Sequence, residues 1–250
     1  MNPTASLDAH AAAYTAKFAH FEENRIVHEA YGARLADTVR RQGLRHALSL
    51  GIGHSEVARQ LLACLHDGAL ESYLLVDGAP AIIEGFRREH APLPAGLDLL
   101  EGFFETFEAE RQFDLIEAGF VLEHVEDPQL ILHRLHGMLA PGGRLFVAVP
   151  NARSMHRLLG HEAGLLLDLY KLSDADLQLG HRRYYDIEML RAQVAAAGFT
   201  ELSAEGMLLK PLTTGQLNQL DLAPEIWQAL MRLARGYPEI SNAFCLELGA

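Results

Sequence analysis

The stretch SLGIGHSE at residues 49–56 places two glycines, Gly51 and Gly53, directly after an apolar run. Glycines at the end of a strand let the backbone approach a ligand closely, because no side chain stands in the way. A second apolar run, SYLLVD, ends in Asp77, where a carboxylate can accept hydrogen bonds from both hydroxyls of a ribose. Together these features predict a nucleoside site; a tight turn without ligand and a helix N-cap at Asp77 are the alternatives.

Glu56 indicates which kind of nucleoside cofactor the site binds. It occupies the sixth position of the glycine pattern, where a dinucleotide-binding turn needs a small residue so that helix and strand close around a pyrophosphate. A carboxylate is repelled by two phosphates, whereas a ligand that carries an ammonium and a sulfonium tolerates acids nearby. The residue therefore favours S-adenosyl-L-methionine over a nicotinamide dinucleotide.

Two polar residues follow the fourth and fifth predicted strands. His124 lies about one helical turn beyond the fourth strand, and a histidine titrates near working pH, so it is a candidate general base. Asn151 follows the fifth strand and is a candidate for orienting a substrate. The alternatives are a histidine bonded to a neighbouring loop and a turn residue after Pro150.

The run GHRRYYD at 180–186 is predicted to reach the same edge of the sheet. Asp186 is typical of an N-cap, and a helix that returns antiparallel to the strands begins at their carboxyl ends. In an acidic chain, two arginines there suit an anionic substrate, although they could also bridge surface acids. Three residues of this run are candidate site residues, one catalytic and two substrate-binding: His181, Arg182 and Tyr184.

The elements that would position these residues alternate between helix and strand. Apolar positions at helical spacing over 8–42 predict two helices that end at Gly43, and further helices are predicted over 187–197 and 224–235. The expected architecture is α/β, a Rossmann-like, seven-stranded, mostly parallel sheet with helices on both faces. The seven strands are predicted at about 46–50, 72–77, 97–101, 113–118, 143–149, 199–205 and 243–248.

We expect one domain over residues 1–250. Its parts are an N-terminal helical cap (1–43), a cofactor-binding core (44–151), a lid insertion (152–185) and the C-terminal part of the sheet (186–250). The cap and the insertion could exclude water from a reactive sulfonium, with Tyr14 reaching the pocket as a substrate-binding residue. Alternatively, their apolar residues are simply core.

Composition limits the function. The net charge of −12, from 21 basic and 33 acidic residues, argues against nucleic acid or an anionic membrane as partner and leaves a small molecule. We expect neither a signal peptide nor a transmembrane segment, and two cysteines without a partner spacing fit a reducing cytoplasm. No metal is expected, because no carboxylate or cysteine completes a ligand set around the histidines at 133, 136, 156 and 161. The oligomeric state is not predicted.

Two longer runs carry a resemblance to a known family. FDLIEAGFVLEHVEDP at 113–128 and LHGMLAPGGRLFVAVPN at 135–151 resemble the fourth-strand and fifth-strand signatures of class I S-adenosylmethionine-dependent methyltransferases. PNARSMHR at 150–157, taken with GHRRYYD, is similar to a small-molecule subgroup. The resemblance implies that Gly51 and Gly53 approach the methionine part of the cofactor, that Asp77 holds the ribose, and that Ala118 and Gly119 offer backbone oxygen to the methionine ammonium.

The sequence departs from that family at three positions. Ser49 stands where an acid is usual, Ser55 replaces a third glycine, and Phe103 replaces the aspartate that commonly meets the adenine amino group. Adenine could instead stack on Phe103 or Phe104. The resemblance implies methyl transfer to an oxygen or nitrogen of a small metabolite. The alternatives are a non-catalytic binding or scaffold protein that kept the fold and, in another class, an NAD(P)-dependent oxidoreductase.

Overall fold

The structure, a computed structural model, describes residues 20–250, which form one seven-stranded sheet with helices on both faces. The predicted fold class is confirmed, and each strand lies close to its predicted position. The strand order is β3-β2-β1-β4-β5-β7-β6, and β7 alone runs antiparallel to its neighbours. The strands are β1 (His46–Leu50), β2 (Ser72–Asp77), β3 (Leu97–Glu101), β4 (Phe113–Gly119), β5 (Leu139–Pro150), β6 (Thr200–Met207) and β7 (Ala243–Gly249).

One strand boundary differs from the prediction by more than two residues. β5 begins at Leu139 rather than at residue 143, because Leu139 pairs with Phe113 of β4 ahead of a register shift. From Leu115 onward the two strands pair regularly, which carries β4 and β5 side by side to the edge where both end.

Helices cover the two faces of the sheet and leave its carboxyl edge to loops. The helices are α1 (Phe21–Gln42), α2 (Glu56–His66), α3 (Pro80–Glu89), α4 (Pro128–Met138), α5 (Met155–Glu162), α6 (Asp174–Leu179), α7 (Ile187–Ala196), α8 (Thr214–Leu217) and α9 (Pro224–Ala234). α1 ends where predicted, at Gly43 with a left-handed φ of 66°. The first of the two helices predicted over 8–42 falls largely outside the described residues.

The central strands are buried on both sides, so alternate residues enter two separate cores. Leu48 and Ile116 pack with α4 and α7, whereas Ala47 and Leu115 pack with α1, α2 and α3. This double burial fixes the register of the parallel strands, because a slip of one residue would exchange the two faces. The carboxyl ends of β1, β2, β4 and β5 are therefore held together at one edge.

Within residues 20–250, none of the helices has both the length and the apolar character that spanning a membrane requires.

Candidate active site

A cavity of about 1070 Å³ opens at the carboxyl edge of the sheet. Its walls come from the ends of β1, β2, β4 and β5, from α1, and from two later stretches, 154–184 and 210–216. Ligands of open parallel sheets bind at this edge, where strands end and helices begin. The insertion after β5 thus contributes to the same cavity as the sheet.

The glycine-containing turn forms one wall of the cavity. Gly51 and Gly53 have positive φ angles of 86° and 49°, which glycine adopts without steric cost. Asp77 at the end of β2 fixes the turn, since its Oδ2 accepts a hydrogen bond from Ile52 N at 2.8 Å. Its Oδ1 accepts from Ala79 N, also at 2.8 Å. Asp77 therefore lines the cavity with its carboxylate held in a fixed orientation.

The aromatic residues after β3 face the same turn. Phe103 and Phe104 both line the cavity, and Gly102 N donates to Asp77 O at 3.0 Å, which ties them to the end of β2. A Cβ on Gly51 would lie 3.8 Å from Phe104 Cζ, so the ring is in contact range of the turn. These rings give one part of the cavity an apolar surface on which a planar base could stack.

Glu117 places a buried carboxylate at the end of β4. It lines the cavity, and its Oε1 accepts a hydrogen bond from Gly119 N at 2.6 Å. A Cβ on Gly119 would come within 2.3 Å of Tyr31 Cε1 and 2.8 Å of Glu117 Oε1, so residue 119 has to be glycine. Burial raises the pKa of Glu117 to about 7. Near neutral pH this acid is thus poised between its neutral and charged forms.

Two histidines from distant parts of the chain meet on another wall. The ring centroids of His124 and His181 lie 4.8 Å apart in an edge-to-face arrangement, and both line the cavity. Glu123 lies beside them with no exposed surface, and burial raises its pKa to about 7. The sequence thus brings two imidazoles and a carboxylate to one place.

Hydrogen bonds between two loops produce this meeting. Arg182 N donates to Glu123 O at 2.8 Å. The Arg183 guanidinium donates to Leu122 O at 2.8 Å, Val125 O at 2.5 Å and Glu126 O at 3.1 Å. Arg183 therefore ties the run GHRRYYD to the loop after β4, and this bridge sets the position of His181.

Asp176 of α6 lies behind His181, with its Oδ1 at 3.2 Å from His181 Nδ1. Its Oδ2 accepts from Tyr184 Oη at 2.8 Å and from Ser173 Oγ at 2.5 Å. Burial opposes ionisation of this carboxyl, but the nearby His181 ring and the hydrogen bonds from Ser173 and Tyr184 outweigh it and lower the pKa of Asp176 below its ordinary value. Asp176 is therefore an anion that orients the His181 ring.

Two buried cations lie along the insertion side of the cavity. Arg157 donates to the carbonyl oxygens of Leu169 and Lys171 at 2.7 and 2.8 Å, and its guanidinium lies 4.2 Å from the centre of the Tyr184 ring. Lys210 Nζ forms an ion pair with Glu23 Oε1 at 2.7 Å, with both side chains almost fully buried. Both cations line the cavity, and so does Glu23, which neutralises Lys210.

Comparison with known proteins identifies the family. A family model described as "Methyltransferase domain" matches residues 29–204, well over half of the chain. The chain belongs to this methyltransferase family. Trans-aconitate 2-methyltransferase of Methylobacterium radiotolerans is 34% identical over 146 residues, 58% of this chain and 52% of that protein. The match thus spans about half the length of that relative.

Solved structures show the same fold. A Thermotoga maritima methyltransferase, described as a possible histamine N-methyltransferase, has a TM-score of 0.61 at 18% identity, covering 92% of this chain and 93% of that one. The N-methyltransferase NodS from Bradyrhizobium japonicum, in complex with S-adenosyl-L-homocysteine, has a TM-score of 0.54 at 12% identity, covering 91% and 86%. At these identities the likeness concerns the fold.

S-adenosyl-L-methionine is the cofactor of this methyltransferase, and the cavity fits it. The glycine turn presents backbone without side chains, and the carboxylates of Asp77 and Glu117 line the cavity. Glu56, which argued against a pyrophosphate, lies in the first turn of α2 and pairs with Arg59 at 2.6 Å without lining the cavity.

Of the predicted cofactor residues, most line the cavity and two do not. Gly51, Gly53, Asp77, Phe103, Phe104 and Gly119 line it. Ser55 lies outside the lining and precedes α2 with a left-handed φ of 57°, so it shapes the turn through its backbone. Ala118 points into the core formed with α4 and α7 and has no exposed surface, because neighbouring residues of a strand face opposite sides.

Some of the predicted catalytic and substrate-binding residues line the cavity, and others do not. His124, His181 and Tyr184 line the cavity, and Tyr14 lies outside the described residues. Arg182 corrects the prediction: it is absent from the cavity lining, and its half-exposed side chain pairs with Glu126 at 3.2 Å.

Asn151 lines the cavity, but its side chain hydrogen-bonds to backbone atoms of neighbouring segments. Its amide nitrogen donates to the carbonyl oxygens of Pro238, Glu239 and Ser241 at 3.0–3.2 Å, and its Oδ1 accepts from Arg153 N at 2.8 Å. These bonds use both amide hydrogens and the oxygen. Asn151 therefore holds the chain before β7 against the end of β5, and substrate has to be oriented by other residues.

Sequence reasoning missed several charged residues of the cavity, among them Glu117, Glu123, Asp176 and Arg157. Glu117 carried a signal, because it is a charged residue inside the apolar strand FDLIEAG. Arg157 and Asp176 depend on the path of the insertion, which no periodicity in the sequence reveals, and Glu123 adjoins His124 in the loop after β4.

Proposed function

We propose that this methyltransferase transfers a methyl group from S-adenosyl-L-methionine to an oxygen or nitrogen of a small metabolite. The observation that carries the proposal is that the glycine turn, Asp77 and the His124–His181 pair all line one cavity of about 1070 Å³. Pockets for drug-sized ligands are about 300–1,000 Å³, so this volume is large enough for the cofactor together with a small acceptor.

The cofactor end of the cavity lies at the turn after β1. In our proposal the backbone of Gly51, Gly53 and Gly119 approaches the methionine part, and Glu117 pairs with its ammonium. Asp77 accepts hydrogen bonds from the ribose hydroxyls, and Phe103 and Phe104 stack on adenine. When bound, the cofactor supplies a methyl group on a sulfonium that is already activated for in-line displacement.

The acceptor end lies at His124 and His181. We assign His124 as the group that takes the acceptor's proton, since a positioned histidine can do so near neutral pH. We assign His181, oriented by Asp176 at 3.2 Å, to holding the acceptor. Tyr184 lies between Asp176 and Arg157, which makes it a substrate-binding residue on the same wall.

The acceptor we propose is anionic. Arg157, which bonds to carbonyl oxygens and to Tyr184, provides a positive charge in the cavity in place of Arg182, whereas Lys210 is neutralised by Glu23. The relative from Methylobacterium radiotolerans is named for trans-aconitate, a carboxylic acid, which supports a substrate that carries an acidic group besides the oxygen or nitrogen that His124 deprotonates. The net charge of −12 supports a small molecule over nucleic acid. The similarity of PNARSMHR and GHRRYYD to small-molecule methyltransferases supports the same choice.

The domain organisation we propose is a single methyltransferase domain with an N-terminal cap (1–43), a core (44–151), a lid insertion (152–185) and the rest of the sheet (186–250). The lining that 154–184 contributes supports the role of the insertion as a cover. A cover of this kind would keep water from the sulfonium.

The experiment that tests the proposal uses cofactor with a trideuteromethyl group and a metabolite extract. Mass spectrometry should detect small acidic products that are heavier by one trideuteromethyl group. The Asp77→Ala variant is the control and should yield far less product. Labelled product that appears only on protein or nucleic acid, or a complete lack of labelled product with wild-type protein, would contradict the proposed substrate class.

A further inference from the structure

Three side chains with metal-ligating atoms meet on the wall of the cavity that holds the histidines. They are Glu123, His124 and His181, and one ligand atom from each lies within 4.8 Å of the other two. All three line the cavity. The histidines considered for a metal in the sequence, at 133, 136, 156 and 161, do not belong to this set, although His156 lines the same cavity. The set was missed because His181 is far from the other two in the chain.

Glu123 gives the first reason to infer a ligand here. Its side chain has no exposed surface, and within residues 20–250 no donor of another residue hydrogen-bonds to either carboxylate oxygen. Burying a carboxylate without donors is costly, and native proteins pair such groups or use them to bind metals. A cation between Glu123 and the two imidazoles would supply the missing partner.

The environment of His181 gives a second and independent reason. A metal-ligating histidine usually donates its other ring nitrogen to a carboxylate, which fixes the ring and its tautomer. Asp176 Oδ1 lies 3.2 Å from His181 Nδ1, and Asp176 is itself held by Ser173 and Tyr184. Since Nδ1 faces Asp176, Nε2 is the nitrogen left for a ligand. Asp176 is thus placed to orient His181 as a metal ligand.

We propose that Glu123, His124 and His181 bind one divalent transition-metal cation. Two imidazoles and one carboxylate suit zinc, manganese, cobalt or iron better than magnesium or calcium, which prefer oxygen ligands. Three protein ligands leave coordination positions open to the cavity, as in catalytic sites and unlike closed structural ones.

The consequence for catalysis rests on the proposed function. A cation at this position could hold an oxygen of the acceptor and lower the pKa of a hydroxyl there, so that the proton leaves to water without a protein base. His124 would then act as a ligand rather than as the proton acceptor. Removal of metal by a chelator would slow turnover under this inference and leave it unchanged if His124 is the base.

The test is equilibrium dialysis of tag-free protein, first stripped with a chelator, against Zn²⁺, Mn²⁺ and Co²⁺. We expect saturable binding of one cation per chain for at least one of these metals, and with Co²⁺ a visible absorption band from imidazole and carboxylate ligation. Glu123→Gln, His124→Gln and His181→Gln should each weaken binding at least tenfold. Asp176→Asn should weaken it about tenfold to a hundredfold, as loss of an orienting partner does.

The matched control is His133→Gln, an exposed histidine of α4, which should bind metal like the wild type. Each variant is also titrated with S-adenosylhomocysteine, and retained affinity shows that the cavity is folded. Absence of saturable binding to the wild type, or equal binding by the three ligand variants, would overturn the metal site. Failure of wild-type protein to bind S-adenosylhomocysteine would instead overturn the proposed function, whatever the dialysis shows.

Discussion

Ser49 on β1 lies directly beside Glu117 on β4 in the parallel register of the two strands. The family usually has an acid at the position of Ser49, and this chain has its acid one strand away, at the same level of the sheet. Ser49 Oγ accepts a hydrogen bond from Tyr73 Oη at 2.9 Å. Two uncharged hydroxyl groups therefore occupy the position where the family has a carboxylate. The geometry thus lets Glu117 supply the negative charge that Ser49 lacks.

Glu117→Gln should therefore weaken binding of S-adenosylhomocysteine. Loss of a hydrogen bond to a charged group costs about 1.5–3 kcal/mol, or roughly tenfold to a hundredfold in affinity. Glu101→Gln, at an exposed acid at the end of β3, is the control and should leave affinity unchanged. Calorimetric titration measures both. Equal affinities for the two variants would remove Glu117 from the cofactor site.

Cofactor affinity should also rise with pH between about 5.5 and 7.5 in the wild type. Burial raises the pKa of Glu117 to about 7, so below that pH the residue is neutral and must lose a proton to pair with an ammonium. Titrations at several pH values should show the rise, and Glu117→Gln should flatten it. An unchanged pH dependence in the variant would assign the proton to another group.

The same pKa gives the opposite trend for the stability of the cofactor-free protein. The folded chain keeps a proton on Glu117 that the unfolded chain releases near its ordinary pKa of 4.5. The stabilisation from this residue is therefore full below pH 4.5 and is lost as pH rises through about 7. Denaturant unfolding of wild type and Glu117→Gln at both ends of this range should show a smaller pH-dependent loss in the variant.

Asp77→Ala should weaken binding of S-adenosylhomocysteine by about 1–3 kcal/mol, since the ribose hydroxyls lose a charged acceptor. The structure adds a second effect, because Asp77 also accepts from Ile52 N and Ala79 N. The melting temperature without ligand should fall as well. Asp98→Ala, at an exposed position of β3, provides the control. Unchanged affinity would take Asp77 out of the site.

His124→Gln should keep cofactor affinity and slow turnover about a hundredfold, since general-base assistance is typically worth 10²–10⁴. His181→Gln should mainly raise the Michaelis constant of the acceptor. Steady-state kinetics of both variants, with His133→Gln as control, checks the assignment. Normal turnover of His124→Gln with an inactive His181→Gln would exchange the two roles, and full activity of both would leave neither histidine in catalysis.

The fold followed from the sequence because its strands are continuous apolar runs that only a doubly covered sheet can bury, and because Gly51, Gly53 and Asp77 sit at strand ends. The acceptor side was harder to predict. His181 lies beside His124 because Arg183 donates hydrogen bonds to three carbonyl oxygens of the loop after β4. The side chain of Asn151 hydrogen-bonds to the backbone just before β7. Such contacts link segments distant in sequence, and the spacing of residues does not reveal them.

We propose that the cavity binds S-adenosyl-L-methionine through the turn at Gly51 and Gly53. Calorimetric titration of the wild type with S-adenosylhomocysteine and, separately, with NAD tests it most directly. We predict saturable one-to-one binding of S-adenosylhomocysteine, a corresponding rise in melting temperature, and no response to NAD. Binding of NAD but not of S-adenosylhomocysteine would support an oxidoreductase, and binding of neither would support a scaffold. Each of these results would contradict the proposed cofactor site.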